Sequence, residues 1–165
     1  MNVTVTEEWH VLHTKSRQEK VLAKELTSMG IDHYLPILKS VRYHGGRKAV
    51  VEAPMFSSYV FLHGTLEDAY RADRTRFVAQ IIKVVDQEKL EAELQNIQLA
   101  LNQDAPMEVY AYLKTGMKVE VRSGPFRGLK GVIEDRKANR LFLQVEMLNA
   151  AVSLEIDGSL LDPIE

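Results

Sequence analysis

No cysteine occurs in the 165 residues, which removes both a disulfide framework and any thiolate metal site. There is also no run long and apolar enough to cross a bilayer, although hydrophobic residues make up a normal 45% of the chain. The opening Met1–Glu8 is acidic and lacks the basic region of a secretory signal, so a cytoplasmic protein without membrane attachment is expected. Catalytic signatures are missing too. His10, His13, His33, His44 and His63 are scattered, with no HExxH and no pair at helical i,i+4 spacing. There is no phosphate loop and no Gly-x-Ser-x-Gly elbow, and Ser57 and Ser58 have no obvious base. Glu88, Glu91 and Glu93 fall on a predicted helix, where a solvated face explains them. Neither an enzyme, a metal nor a cofactor is expected.

Excess charge is a further absence: the formal net charge is −2, which argues against a protein that coats nucleic acid nonspecifically. The distribution is uneven. Residues 10–48 hold eight Lys/Arg against three acids, whereas residues 49–108 hold five against ten. Such polarity suits a domain that meets nucleic acid with one part and something else with another.

What is present begins with Trp9-His-Val-Leu-His13, whose alternation places Trp9, Val11 and His13 on one face of a strand. Ser16-Arg-Gln-Glu19 has capping-box spacing and predicts a helix with Ser16 as N-cap. Val21, Leu22, Leu26 and Met29 form its apolar side, and Gly30 takes the C′ position. A strand is predicted from His33 to Leu38, then a hairpin over Ser40–Glu52 with Gly45-Gly46 at its tip. Phe56–Leu62 reads as another strand. Thr65 caps a short helix through about Arg74, Ile81–Val85 is strand-like, and Asp86 caps a helix with Leu90, Leu94, Ile97 and Leu101 at helical spacing. Strand and helix are mixed, not strictly alternating, which implies an α+β fold, an antiparallel sheet flanked by helices.

The polar stretch Asn102–Pro106 reads as a linker. Beyond it short strands are predicted at Lys118–Arg122, Leu129–Arg136, Arg140–Glu146 and Ala151–Glu155, as in a small barrel. Within this half, Gly124, Gly128 and Gly131 punctuate a strand–turn–strand around Pro125-Phe126. There are no internal repeats and no low-complexity tract.

Two groups stand out as binding candidates. Trp9, Phe56, Tyr59 and Phe61 lie on predicted strands; core packing accounts for Phe61. Phe56 and Tyr59, three apart, would point to opposite faces of a regular strand, leaving one at or beyond the edge of the core. The basic group comprises Lys15, Arg17 and Lys20, then Arg47 and Lys48 at the hairpin, then Arg71, Arg74 and Arg76. Three arginines within six residues repel one another unless an anion is near, and phosphate contact is the natural reading.

These pieces resemble the NusG family from about Trp9 to Ile164. Trp9–Lys20 is similar to the family's first strand and helix, Pro54–Phe61 to its Pro-Leu-Phe-Pro-Gly-Tyr-Val-Phe block, and Gly116–Gly131 to its KOW signature. The resemblance implies an NGN-like domain at 7–103, a linker at 104–112 and a five-stranded KOW β-barrel at 113–165. It also implies a monomeric elongation and antitermination factor that docks on the clamp of the largest RNA polymerase subunit and suppresses pausing or termination. The docking residues implied are Trp9, Phe56 and Tyr59, with Tyr34 and Leu35. The basic group would face upstream or non-template DNA. Phe126, Met147 and Leu148 would recruit a second partner, such as a termination factor or a small-subunit ribosomal protein. Ser57-Ser58 in place of the family's Pro-Gly, and the missing glycine near Phe77-Val78-Ala79, favour a specialised paralogue. A KOW-type RNA- or ribosome-binding protein of translation is the alternative. It would need an RNA-binding C-terminal half, yet residues 109–165 carry eight bases and eight acids.

Overall fold

The computed structural model describes residues 6–113, 115–134 and 139–164. The last positions of the strand predicted over Leu129–Arg136 lie outside these described residues. Internal packing divides the chain into two compact units, Met1–Glu88 and Lys89–Glu165.

The first unit is built on a four-stranded antiparallel sheet of order β2-β5-β1-β6, formed by β1 (Glu8–Thr14), β2 (Asp32–Tyr34), β5 (Tyr59–Gly64) and β6 (Val78–Lys83). Two helices belong to it, α1 (Glu19–Ser28) and α2 (Leu66–Asp73). Leu12 of β1, Val60 and Leu62 of β5, Leu22 and Leu26 of α1 and Ala72 of α2 share one core cluster, so both helices cover the same sheet face.

The helix ends show how local sequence sets these elements. α1 stops in a Schellman turn: Ile31 N–H reaches Leu26 O at 3.0 Å and Gly30 N–H reaches Thr27 O at 3.1 Å. Gly30 supplies the φ of +71° that this closure needs. α2 opens with a reciprocal box, Asp68 N–H to Thr65 Oγ1 and Thr65 N–H to Asp68 Oδ2, both at 3.0 Å. The start of α1 differs from the expectation. Its N-cap is Gln18, with no side-chain cap bond, and the Glu19 side chain is drawn away to Ser58.

Between β2 and β5 the chain leaves the sheet as a hairpin of β3 (Ile37–His44) and β4 (Arg47–Pro54). Gly45 and Gly46, at φ +55° and +80°, form the two-residue turn with both central residues left-handed that hairpin twist favours. The strand expected over His33–Leu38 is divided: its first part is β2, and its end runs on into the first arm of the hairpin as β3. Pro36 has no N–H to give a ladder, and the chain breaks there.

The second unit contains α3 (Gln87–Asn102) from Lys89 onward and a six-stranded antiparallel sheet of order β12-β8-β9-β10-β11-β7. These strands are β7 (Met107–Ala111), β8 (Met117–Val121), β9 (Lys130–Ile133), β10 (Arg140–Val145), β11 (Ala150–Glu155) and β12 (Leu161–Pro163). Six strands in linear order stand where a five-stranded barrel was expected. The additional β7, inside the anticipated linker, pairs with β11 along its whole length. Gly131 is packed so closely that a Cβ would lie 2.6 Å from the Phe142 carbonyl oxygen, which excludes any side chain there.

Candidate functional site

The face of the first sheet opposite α1 and α2 carries a file of rings. Register places Trp9 beside His63, Val11 beside Phe61 and His13 beside Tyr59 across β1 and β5; Tyr34 of β2 stands beside Phe61. Directly paired residues share a face. Trp9 and His63 meet edge to face at 4.9 Å, and His13 stacks on Tyr59 at 5.2 Å. Val11 and Phe61 at the centre are fully buried. Trp9, His13, Tyr34, Tyr59 and His63 around them are half-buried. Gln87 fixes the Trp9 end by closing a two-bond ring with its backbone, Trp9 N–H to Oε1 at 2.7 Å and Nε2–H to Trp9 O at 2.8 Å.

Three of the five anticipated docking residues, Trp9, Tyr34 and Tyr59, are therefore brought together. Phe56 is not exposed with them: it is 4% accessible and packs edge-on against Phe61 at 6.3 Å. Of the pair, Tyr59 is the one at the edge of the core, but the cause is not strand alternation: Phe56 precedes β5 in a turn, where Ser58 at φ +69° redirects the chain. Leu35 packs against the helix-side core, on the other face from Tyr34. His13 and His63 were missed as members of the file. The alternation of Trp9, Val11 and His13 already contained the signal for one of them.

Tyr34 has a further property. Its hydroxyl is buried with no hydrogen-bond partner among the described residues, and burial pushes its pKa up to about 12.

The basic residues separate into three groups. At the sheet end where β1 finishes and β5 and β6 start, Lys15, Arg17 and Arg76 are exposed on neighbouring loops. Backbone bonds tie these loops, Thr14 N–H to Ser58 O at 2.8 Å and Lys15 N–H to Phe77 O at 2.9 Å. Arg17, Ser58 and Arg76 all adopt positive φ, at 61°, 69° and 72°, a conformation that costs an L side chain roughly 1–2 kcal/mol. Clustered strain of this kind marks sites held for a purpose beyond stability.

Arg71 and Arg74 do not join this group. Arg71 bonds Asp68 at 3.3 Å and the Met29 carbonyl at 3.4 Å, while Arg74 bonds Glu67 at 2.9 Å. The expected repulsion among three arginines is relieved by carboxylates one or two helical turns back. Arg47 and Lys48 are exposed at the hairpin turn, and Lys20 donates to the Glu52 carbonyl at 2.8 Å near its base.

In the second unit Phe126 lies in the turn between β8 and β9, and Met147 and Leu148 in a 3-10 turn after β10; all three are half-buried. Among the described residues no cluster of His, Asp or Glu has the arrangement to hold a metal ion, and no helix is long and apolar enough to cross a membrane.

A family model described as "Transcription termination factor nusG" matches residues 7–101. The transcription termination/antitermination protein NusG of Neisseria meningitidis serogroup B is 22% identical over 184 aligned positions, which cover 97% of this chain and 99% of that protein.

Proposed function

The chain belongs to the NusG family of transcription elongation and termination factors, which are not enzymes, and from that membership we propose that it acts by docking its aromatic sheet face onto the clamp of RNA polymerase. The observation that carries this reading is the ring file of Trp9, His13, Tyr34, Tyr59 and His63 around buried Phe61. Half-buried aromatics backed by a rigid sheet are the usual anchors of a protein interface, giving area at little entropic cost. Phe56, edge-on to Phe61, and Leu35, packed against the helix-side core, hold the file in place from within the domain.

In this reading residues 7–103 form an NGN domain, 104–112 a connection that contributes β7, and 113–165 a KOW domain. Lys15, Arg17 and Arg76 face upstream or non-template DNA, joined by Arg47 and Lys48 on the hairpin. Phe126, Met147 and Leu148 recruit a termination factor or a small-subunit ribosomal protein. Preferential binding to one clamp state suppresses pausing without any chemistry, because a ligand shifts a conformational equilibrium by its difference in affinity. Ser58, strained where the family block has glycine, supports a specialised paralogue working as a monomer in the cytoplasm.

The test is retention of purified core RNA polymerase by the full chain and by Trp9→Ala and Tyr59→Ala variants. Retention by wild type with at least tenfold weaker binding by both variants is expected. Equal retention by all three would refute the proposed face.

A further inference from the structure

The ring file has unlike ends. Four histidines stand on the first sheet, and they divide by face. His10 and His33 alternate with file residues and turn to the helix side. Each is satisfied within the chain: His10 Nε2 donates to the Gly64 carbonyl at 3.3 Å and His33 Nδ1 to the Ile31 carbonyl at 3.0 Å. His13 and His63, on the file, pack against Tyr59 and Trp9 but make no hydrogen bond among the described residues. Docking strips water from these two half-buried rings, so their nitrogens need polar groups on the partner.

The charge around the two rings has opposite sign. At the His13 end Lys15, Arg17 and Arg76 are exposed, and Gln80, beside His13 on β6, is neutral. Glu19, the nearest carboxylate in sequence, is buried and taken by the Ser58 N–H. At the other end Asp32 of β2 stands directly beside His63 and is exposed. Asp86 adjoins Gln87, whose side chain holds the Trp9 backbone. Lys83 ends β6 here, but it pairs with His10 and so lies on the helix side. Trp9 and His13 are four strand residues apart, which puts the two ends about 13 Å from each other. Buried Val11 and Phe61 lie between them. Complementary potentials across an interface fix its register and penalise the wrong orientation.

We propose that the docking face is directional: the partner element sets a carboxylate against His13 and a basic side chain against Asp32 and His63, with apolar groups between. The His13 ring N–H donates to the carboxylate. A ring nitrogen of His63 accepts from the lysine or arginine N–H whose charge Asp32 balances. The proposal rests on the docking reading above and adds to it the sign and order of the partner's charges.

The test titrates the full chain and its variants with purified core RNA polymerase in the absence of nucleic acid. His13→Gln is the neutral reference for His13→Glu and His13→Arg; Asp32→Asn, Asp32→Glu and Asp32→Lys form the second series. Relative to His13→Gln, about tenfold weaker binding is expected of His13→Glu and several-fold tighter binding of His13→Arg. Asp32→Asn should bind about tenfold more weakly than wild type and Asp32→Lys more weakly still, while Asp32→Glu stays near wild type. Asp32 is exposed, so its series carries the test even if a His13 variant unfolds. Equal binding by the three His13 variants, or the reverse order, overturns the acidic contact and the direction with it. Wild-type affinity in Asp32→Asn and Asp32→Lys overturns the basic contact. In either case weak binding by Trp9→Ala leaves the docking reading standing and the directional face refuted. No retention of polymerase by wild type refutes both.

Discussion

Glu19 accepts the Ser58 N–H at 3.1 Å across 39 residues of sequence, and both lie beside the loops that present Lys15, Arg17 and Arg76. The Glu19 carboxylate is thus a buried buttress for a strained turn, not the helix cap that its position suggests. Removing it strands the Ser58 N–H, so Glu19→Ala should lower stability by about 1–3 kcal/mol. Glu19→Gln, which keeps an acceptor oxygen, should retain most of it. Urea unfolding of the two variants makes the comparison.

Ser58→Gly tests the strain directly. Glycine adopts φ near +69° without the Cβ penalty, so the variant should gain about 1 kcal/mol. Polymerase retention should be unaffected, because Tyr59 and its stack on His13 stay in place. A destabilised Ser58→Gly variant would show that the serine side chain makes a compensating contact.

Tyr34→Phe removes a buried hydroxyl that has no partner among the described residues. Its stability should be equal to wild type or higher by up to about 1 kcal/mol. The folded-state pKa is raised to about 12, above the ordinary value near 10 for an unfolded tyrosine. The favourable neutral phenol is therefore fully retained below about pH 10 and lost as pH rises towards 12. Difference ultraviolet titration of wild type against the variant should show one tyrosine ionising last.

Asp68 runs in the opposite direction. The Thr65 backbone N–H holds its carboxyl below the usual carboxylate range, with the Arg71 guanidinium adding to the effect. A depressed folded-state pKa contributes stability above the ordinary value, and that contribution disappears as pH falls through the lowered one. Asp68→Ala should cost about 1 kcal/mol at neutral pH, and the difference from wild type should shrink in acid. Thermal unfolding between pH 2 and 7 follows it.

Lys15→Ala and Arg76→Ala should each flatten the salt dependence of nucleic-acid binding by about one unit of log–log slope. Arg71→Ala should leave the slope unchanged, because that side chain is committed to Asp68 and the Met29 carbonyl. Filter binding across a salt series separates them.

Much of the fold was legible because its signals are local. Thr65 with Asp68, Gly30 after the first helix and Gly45-Gly46 in the hairpin each specify their turn through neighbours a few residues away. The alternation around Trp9 correctly grouped Trp9, Val11 and His13. What escaped depends on distant partners. Tyr34 joins the ring file only through the β2–β5 register. Phe56 is buried because Ser58 bends the chain, a conformation that serine does not advertise. β7 forms because β11 offers it an edge. The pairing of Arg71 with Asp68, in contrast, was available from i,i+3 spacing alone.

The hairpin has one more consequence, for the behaviour of the chain in concentrated solution. β3 and β4 pair only with each other in the described structure, so each presents an outer edge of backbone donors and acceptors, with Val41, Tyr43 and Val50 exposed between them. Such an edge is a template on which a second copy can add a strand. Arg42, Arg47 and Lys48 stud this ribbon, and their like charge opposes that growth. If Arg47 and Lys48 meet nucleic acid as proposed, the same two cations also keep the free protein dispersed, and removing them to weaken binding would invite self-association.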